Sequence, residues 1–175
     1  MPIKTIFLDR DGVINKEVKY LHKIDNFVFI EGVFEACQHF LKQGFEIIII
    51  TNQSGIGRKF FHVNDYLILT NWMLSQFNEN QIKILDVFYC PHLPNYNCTC
   101  RKPKPGMLIQ AMYEYNIDME NSWMIGDKED DIKAANAAGI ENTILVRSGH
   151  PIKENESEAK FFIDSIYNSI EIIGN

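Results

Sequence analysis

This chain of 175 residues has no long hydrophobic run, no basic stripe and no evenly spaced set of cysteines. Its longest strictly aliphatic run spans residues 47–50, far short of the roughly 18 apolar residues that a membrane span needs. The opening Met1-Pro2-Ile3-Lys4 lacks the apolar core of a secretory signal, so a cytoplasmic protein away from membranes is expected. Seventeen basic residues stand against twenty-three acidic ones, a net charge of −6. Without a basic run, nucleic-acid binding through a cationic footprint is not expected. Hydrophobic residues make up 46% and charged residues 23%, which excludes a disordered or low-complexity chain. No repeat or long linker divides the sequence, and its length suits one core. A single domain over 1–175 is therefore expected.

The four cysteines are unevenly placed: Cys37 stands alone, while Cys90, Cys98 and Cys100 gather with His92. That is a poor disulfide framework. Three thiols and one imidazole instead form a closed tetrahedral set for a structural Zn²⁺, with no position left open for catalysis. Pro91, Asn95, Asn97 and Thr99 make this segment too polar for core. Cys37 falls on the apolar face of a predicted helix and is expected to pack in the core.

Buried strands are predicted over residues 5–8, 45–50, 86–89, 122–125, 143–146 and 161–163, each short, apolar and flanked by turn residues. Helices alternate with them. One follows Gly32 and closes at Gly44, and one is capped by Asn64-Asp65. A third covers 107–115, a fourth runs through 134–138 to Gly139, and a last one is capped by Ser165. This alternation predicts an α/β fold, an open parallel sheet with helices on both faces. Ligands of such sheets sit beyond the carboxyl ends of the strands, which directs attention to the polar residues there.

Asp9-Arg10-Asp11-Gly12 follows the first strand. Residues two apart share a side of an extended chain, so Asp9 and Asp11 can face one site while Arg10 points elsewhere. One carboxylate can attack and the other transfer protons, with a divalent cation offsetting the repulsion of an anionic substrate. Thr51-Asn52-Gln53-Ser54-Gly55-Ile56-Gly57 offers hydroxyl, amide and backbone N–H groups suited to phosphoryl oxygens. Arg101 and Lys102, beside Pro103, supply a fork and a point charge for phosphate. Asp127 ends the fourth strand as a candidate Mg²⁺ ligand, and Asp131, one helical turn on, can brace it.

In this order, Asp-x-Asp-Gly, Thr-Asn, a lysine and Gly-Asp-x-x-x-Asp resemble the haloacid dehalogenase superfamily of phosphatases. Residues 8–15, 20–27, 51–58, 90–92, 100–103, 105–107 and 145–149 resemble its zinc-loop subgroup of sugar-bisphosphate phosphatases, over most of residues 3–152. The short Cys-Pro-His-Leu-Pro spacing also resembles the related histidinol-phosphate phosphatases. Where the subgroup has a glycine after Gly57-Arg58, this chain has Lys59-Phe60-Phe61.

The resemblance implies a capless core and a Mg²⁺-dependent removal of the 7-phosphate from a heptose 1,7-bisphosphate, with histidinol phosphate as the alternative substrate. It implies Asp9 as nucleophile and Asp11 as proton carrier, with Mg²⁺ held by Asp9, the Asp11 backbone carbonyl and Asp127. Thr51, Asn52 and Lys102 would hold the transferring phosphoryl group, beside Gln53 and Ser54. Arg101, Lys128, Glu17 and Tyr20 would recognise the substrate. Zn²⁺ on Cys90, His92, Cys98 and Cys100 would shape the loop presenting Arg101 and Lys102. A monomer acting on a phosphorylated sugar is expected.

Overall fold

The structure, a computed structural model, describes residues 1–174; Asn175, the last residue of the expected domain, lies outside them. Six strands form one parallel sheet: β1 (Thr5–Leu8), β2 (Glu46–Asn52), β3 (Asp86–Cys90), β4 (Trp123–Gly126), β5 (Asn142–Val146) and β6 (Phe161–Ile163). Their order is β3-β2-β1-β4-β5-β6. The chain moves outward from β1 through β2 to β3, then returns to pair β4 on the other edge of β1. That reversal opens the crevice beyond the carboxyl end of β1, where ligands of open α/β sheets bind.

Five helices connect the strands: α1 (Val33–Lys42), α2 (Ser54–Gly57), α3 (Val63–Glu79), α4 (Gly106–Tyr115) and α5 (Glu129–Ala137). The central strands are apolar throughout because both faces are covered. Ile6, Leu8, Ile47 and Ile49 point to one face and pack with residues of α1 and α3, Cys37 among them. Phe7, Ile48 and Ile50 point to the other and pack with α4 and α5. The side-chain period of two thus supplies both cores from the same strands.

Several expected boundaries shift. β2 runs on to Asn52, so Thr51 and Asn52 lie within the strand. Residues 54–57, for which no helix is predicted, form the short α2. α3 starts one residue before the expected Asn64-Asp65 cap. His62 is its N-cap, and the Asp65 carboxylate accepts from the His62 N–H at 2.8 Å. Asp65 thus completes the first turn from inside it. The closing helix is a 3₁₀ segment, Ile166–Glu171; Ser165 does precede it, its N–H donating to Asn168 Oδ1 at 3.1 Å. Among the described residues no additional layer covers the carboxyl ends of the strands, and no helix is long and apolar enough to cross a membrane.

Candidate active site

The carboxyl ends of β1, β2 and β4 deliver polar residues to one open cavity of about 450 Å³. Asp9 follows β1, and its N–H donates to Ile125 O at 3.0 Å, carrying the ladder with β4 one step further. Its carboxylate is therefore fixed beside the end of β4. Lys102, 3% exposed, reaches in from the loop before α4. Its ammonium donates to Asp9 Oδ1 at 2.9 Å and to Ile50 O at 2.7 Å, and lies 2.6 Å from Asp131 Oδ1. Burial opposes a charged lysine, but the two carboxylates more than offset this and push the Lys102 pKa up.

Asp127 is fully buried behind Asp9. Burial first, then the charge of Asp9, raises its pKa to about 6. Burial, then the charge of Asp131, does the same to Asp9, to about 6. The backbone crowds this carboxylate: a Cβ on Gly12 or on Gly149 would strike it. Gly12 also holds φ 87, so it needs the freedom of glycine twice over. Asp127 Oδ2 accepts from the His150 N–H at 2.9 Å and meets His150 Nδ1 at 2.6 Å. Asp127 Oδ1, although buried, has no hydrogen-bond partner. Ligand atoms of Asp9, Asp127 and Asp131 lie within 4.8 Å of one another. Asp131 is already engaged, since its Oδ1 holds Lys102 and its Oδ2 accepts the N–H groups of Asp127 and Lys128, each at 3.1 Å. An orphaned buried oxygen beside a second carboxylate suits a hard divalent cation such as Mg²⁺, with Asp9 and Asp127 as its side-chain ligands and Asp131 bracing them.

Asp11 lies at the cavity wall. The expectation that Arg10 points elsewhere is corrected. Arg10 is 1% exposed, and its Nη2 donates to both Asp11 oxygens, at 2.8 and 3.0 Å. Asn15 Nδ2 and Gln53 Nε2 donate to the same carboxylate at 3.0 and 3.1 Å. Burial alone would raise the Asp11 pKa; the Arg10 charge and these hydrogen bonds outweigh it and hold it below the ordinary value. The residue between the two acids is therefore part of the site.

Of the other expected residues, Glu17, Tyr20, Asn52, Gln53, Ser54, Arg101 and Lys128 line the same cavity. Thr51 does not; it is buried, and its Oγ1 accepts from Gln53 Nε2 at 2.9 Å. Both polar atoms of the Asn52 side chain are taken by the Lys102 backbone, each at 3.1 Å, so Asn52 anchors the lysine loop. Arg101 Nη1 is buried without a partner. His150, missed by sequence reasoning, joins Asp127 to the loop carrying Glu17, with Nε2 3.8 Å from Glu17 Oε1. Its only signal was its place after a glycine in a loop following β5.

Beside the cavity, β3 ends at Cys90, and His92, Cys98 and Cys100 return to it. Cys90 Sγ lies 3.7 Å from Cys98 Sγ and 3.0 Å from Cys100 Sγ. His92 Nδ1 is 3.5 Å from Cys90 Sγ and 3.3 Å from Cys100 Sγ. Ligands about 2.3 Å from a tetrahedral zinc stand about 3.8 Å apart, so the cluster fits Zn²⁺ with a small expansion.

Two acids two residues apart, a buried lysine and carboxylates that could hold a divalent cation suit phosphoryl transfer. Comparison with known proteins agrees. A family model described as HAD-hydrolase-like matches residues 99–171. D-glycero-beta-D-manno-heptose-1,7-bisphosphate 7-phosphatase of Yersinia pestis is 44% identical, covering 94% of this chain and 92% of the relative. D-glycero-alpha-D-manno-heptose-1,7-bisphosphate 7-phosphatase of Photorhabdus laumondii is 46% identical, covering 90% of each. The crystal structure of D,D-heptose 1,7-bisphosphate phosphatase from B. bronchiseptica, complexed with magnesium and phosphate, superposes with a TM-score of 0.85 at 27% identity, covering 98% of each chain. Likeness over nearly the whole length, in sequence and in fold, means that the chain belongs to the heptose-1,7-bisphosphate 7-phosphatase family of HAD-like hydrolases.

Proposed function

We propose that this protein hydrolyses the 7-phosphate of D-glycero-D-manno-heptose 1,7-bisphosphate, leaving heptose 1-phosphate for nucleotide-activated heptose synthesis. One observation carries the chemistry: Asp9, at the end of β1, is held 2.9 Å from the buried Lys102 ammonium and beside Asp127, at an open cavity. Relatives named for this substrate support its identity.

In the first step an Asp9 oxygen attacks phosphorus, the bond to the sugar oxygen breaks, and Asp11 gives that oxygen a proton. In the second, Asp11 takes a proton from water, whose oxygen attacks the aspartyl-phosphate and releases phosphate and Asp9. Arg10 keeps Asp11 ionised in the free site; an arriving phosphate brings negative charge that favours the protonated form. Lys102 balances charge on the phosphoryl oxygens, and Gln53 and Ser54 offer donors at the same wall. Mg²⁺, held by Asp9, Asp127 and the Asp11 backbone carbonyl, would neutralise phosphoryl charge. The partnerless Arg101 Nη1, with Lys128, would take the phosphate that is not transferred, while Glu17 and Tyr20 would contact the sugar. Zn²⁺ on the Cys₃His cluster would stiffen the loop that carries Arg101 and Lys102. In this reading one capless domain acts as a monomer.

Phosphate release measured on both anomers of heptose 1,7-bisphosphate, histidinol phosphate and fructose 1,6-bisphosphate tests this. The highest kcat/KM belongs to one heptose anomer, and Asp9→Asn abolishes turnover while keeping the wild-type fold by circular dichroism. Preference for histidinol phosphate by about tenfold or more, some 1.4 kcal/mol in transition-state binding, would refute the substrate. A fully active Asp9→Asn would remove Asp9 from the nucleophile role.

A further inference from the structure

Phe60 is 57% exposed and belongs to neither core cluster. Its ring meets the Tyr20 ring edge-on, with centroids 4.8 Å apart and planes at 70°. The Arg58 guanidinium lies 5.8 Å and the Lys19 ammonium 5.6 Å from the centre of the Tyr20 ring. One residue further, the buried Phe61 stacks on His22 at 5.0 Å and 9°. Phe61 presses so closely on Gly55 that a Cβ there would strike it. The His22 ring in turn bonds Tyr20 O, with Nδ1 at 2.9 Å. Two adjacent aromatic residues after α2 therefore reach two residues of the loop after β1, and tie both loops to the glycine-rich turn of the site.

The tie has mechanical work to do. Tyr20 holds φ 56, a left-handed conformation that an L-residue keeps only when its surroundings over-determine it. No cap covers the cavity among the described residues. Its outer wall is this loop, from which Glu17, Val18, Lys19 and Tyr20 face the cavity. Asp9 and Lys102, by contrast, are buried at the strand ends. A transferring phosphoryl group reaches the buried pair, whereas the rest of a sugar phosphate extends toward the loop.

We infer that Phe60 is a positioning residue: through its edge-on contact with Tyr20, under the Arg58 and Lys19 cations, it fixes the wall that reads the substrate beyond the transferred phosphoryl group. The inference rests on the proposed reading of the site as a sugar-phosphate phosphatase and deepens it. Edge-on aromatic contact is the right kind of restraint, because it orders a ring by geometry and not by burial alone.

The experiment compares the wild type, Phe60→Ala and Phe60→Tyr, with Mg²⁺, on heptose 1,7-bisphosphate and on p-nitrophenyl phosphate. The small ester carries a phosphoryl group but no polyol to meet the wall. Phe60→Ala raises KM for the bisphosphate about three- to tenfold and leaves kcat within about twofold. It leaves kcat/KM for the small ester unchanged, and Phe60→Tyr restores the wild-type KM. An unchanged KM for the bisphosphate overturns the inference. So does an equal loss on both substrates, which marks a merely structural role, or a failure of Phe60→Tyr to restore. If Phe60→Ala melts at assay temperature, Phe60→Leu keeps the apolar volume without the ring and the same split is read from it. A wild type that ignores heptose bisphosphate refutes the proposed substrate and not the clasp. The variants are then read on the sugar phosphate it does turn over, against the same small ester.

Discussion

Lys59 holds φ 61, in the left-handed region. A left-handed conformation costs an L-residue about 1–2 kcal/mol, and the extra freedom of an unfolded glycine returns about 0.5–1 kcal/mol of that. Lys59→Gly is therefore neutral to stabilising, by up to about 1.5 kcal/mol, and its urea midpoint is at or above that of the wild type. Lys59→Val, β-branched at the same φ, lowers the midpoint. A glycine variant with a clearly lower midpoint would show that the lysine side chain contributes contacts that outweigh its backbone cost. Residue-scale features divide by how local their signal is. Asp9, Asp127 and the Asn52 region were legible because a polar residue ending an apolar run announces a strand end. The Arg10 fork on Asp11 was not, since alternation on an extended chain sends adjacent side chains apart. Here the chain turns directly after β1, Gly12 takes φ 87, and the guanidinium folds back onto its neighbour. His150 and Phe60 carry no motif at all; each acquires meaning only from what the fold sets against it.

At the scale of elements, the segment between β3 and α4 was the most legible part of the chain. Metal-ligand spacing is a local code, and the four ligand atoms do converge. The segment also links two functions. Lys104 Nζ bonds Cys98 O at 2.8 Å, Gly106 is packed against Thr99 and Cys100, and Lys102 lies between them. Cys98→Ser is expected to lose one zinc per chain by elemental analysis. It should also lower kcat, because Asn52 is the other anchor of the Lys102 backbone at this point of the loop. A variant that binds no zinc yet keeps wild-type kcat separates the cluster from catalysis. A wild type purified reduced and without chelator that holds no zinc removes the metal altogether. Helix boundaries were read less well, for a physical reason. Asp65 and Ser165 are good capping residues, but Asp65 acts from the third helical position, and the segment after Ser165 winds as a 3₁₀ helix.

At the scale of the whole molecule, alternation of strands and helices was enough to anticipate a parallel sheet, but not the order β3-β2-β1-β4-β5-β6. That order sets β1 between β2 and β4 and so brings Asp9, Asp127 and Asp131 together around Lys102. The concentration of buried acids has a consequence for stability. Asp9 and Asp127 are each raised to about 6, by burial first and then by neighbouring carboxylates, and Asp131 and Glu17 are raised as well. In the unfolded chain an aspartate titrates near 3.9, or about 4. Between these values the folded state binds more protons than the unfolded one. The stability these groups contribute is thus complete below about pH 4 and is lost as the pH rises toward about 6. Asp11, held below its ordinary value, has the opposite sign, and its loss falls below this window. Asp127→Asn removes one raised acid and leaves the zinc cluster alone. In Mg²⁺-free buffer its unfolding free energy, relative to the wild type, rises from pH 4.5 to pH 7 by roughly 1–3 kcal/mol, the scale of a shift of one to two pKa units. Added Mg²⁺ at pH 7 stabilises the wild type, because it binds only the folded site, and has little effect on the variant. A difference between the two proteins that is flat or falls with pH would mean that the Asp127 carboxylate is not destabilised by ionising in its buried place. A variant stabilised by Mg²⁺ as fully as the wild type would move the cation away from Asp127.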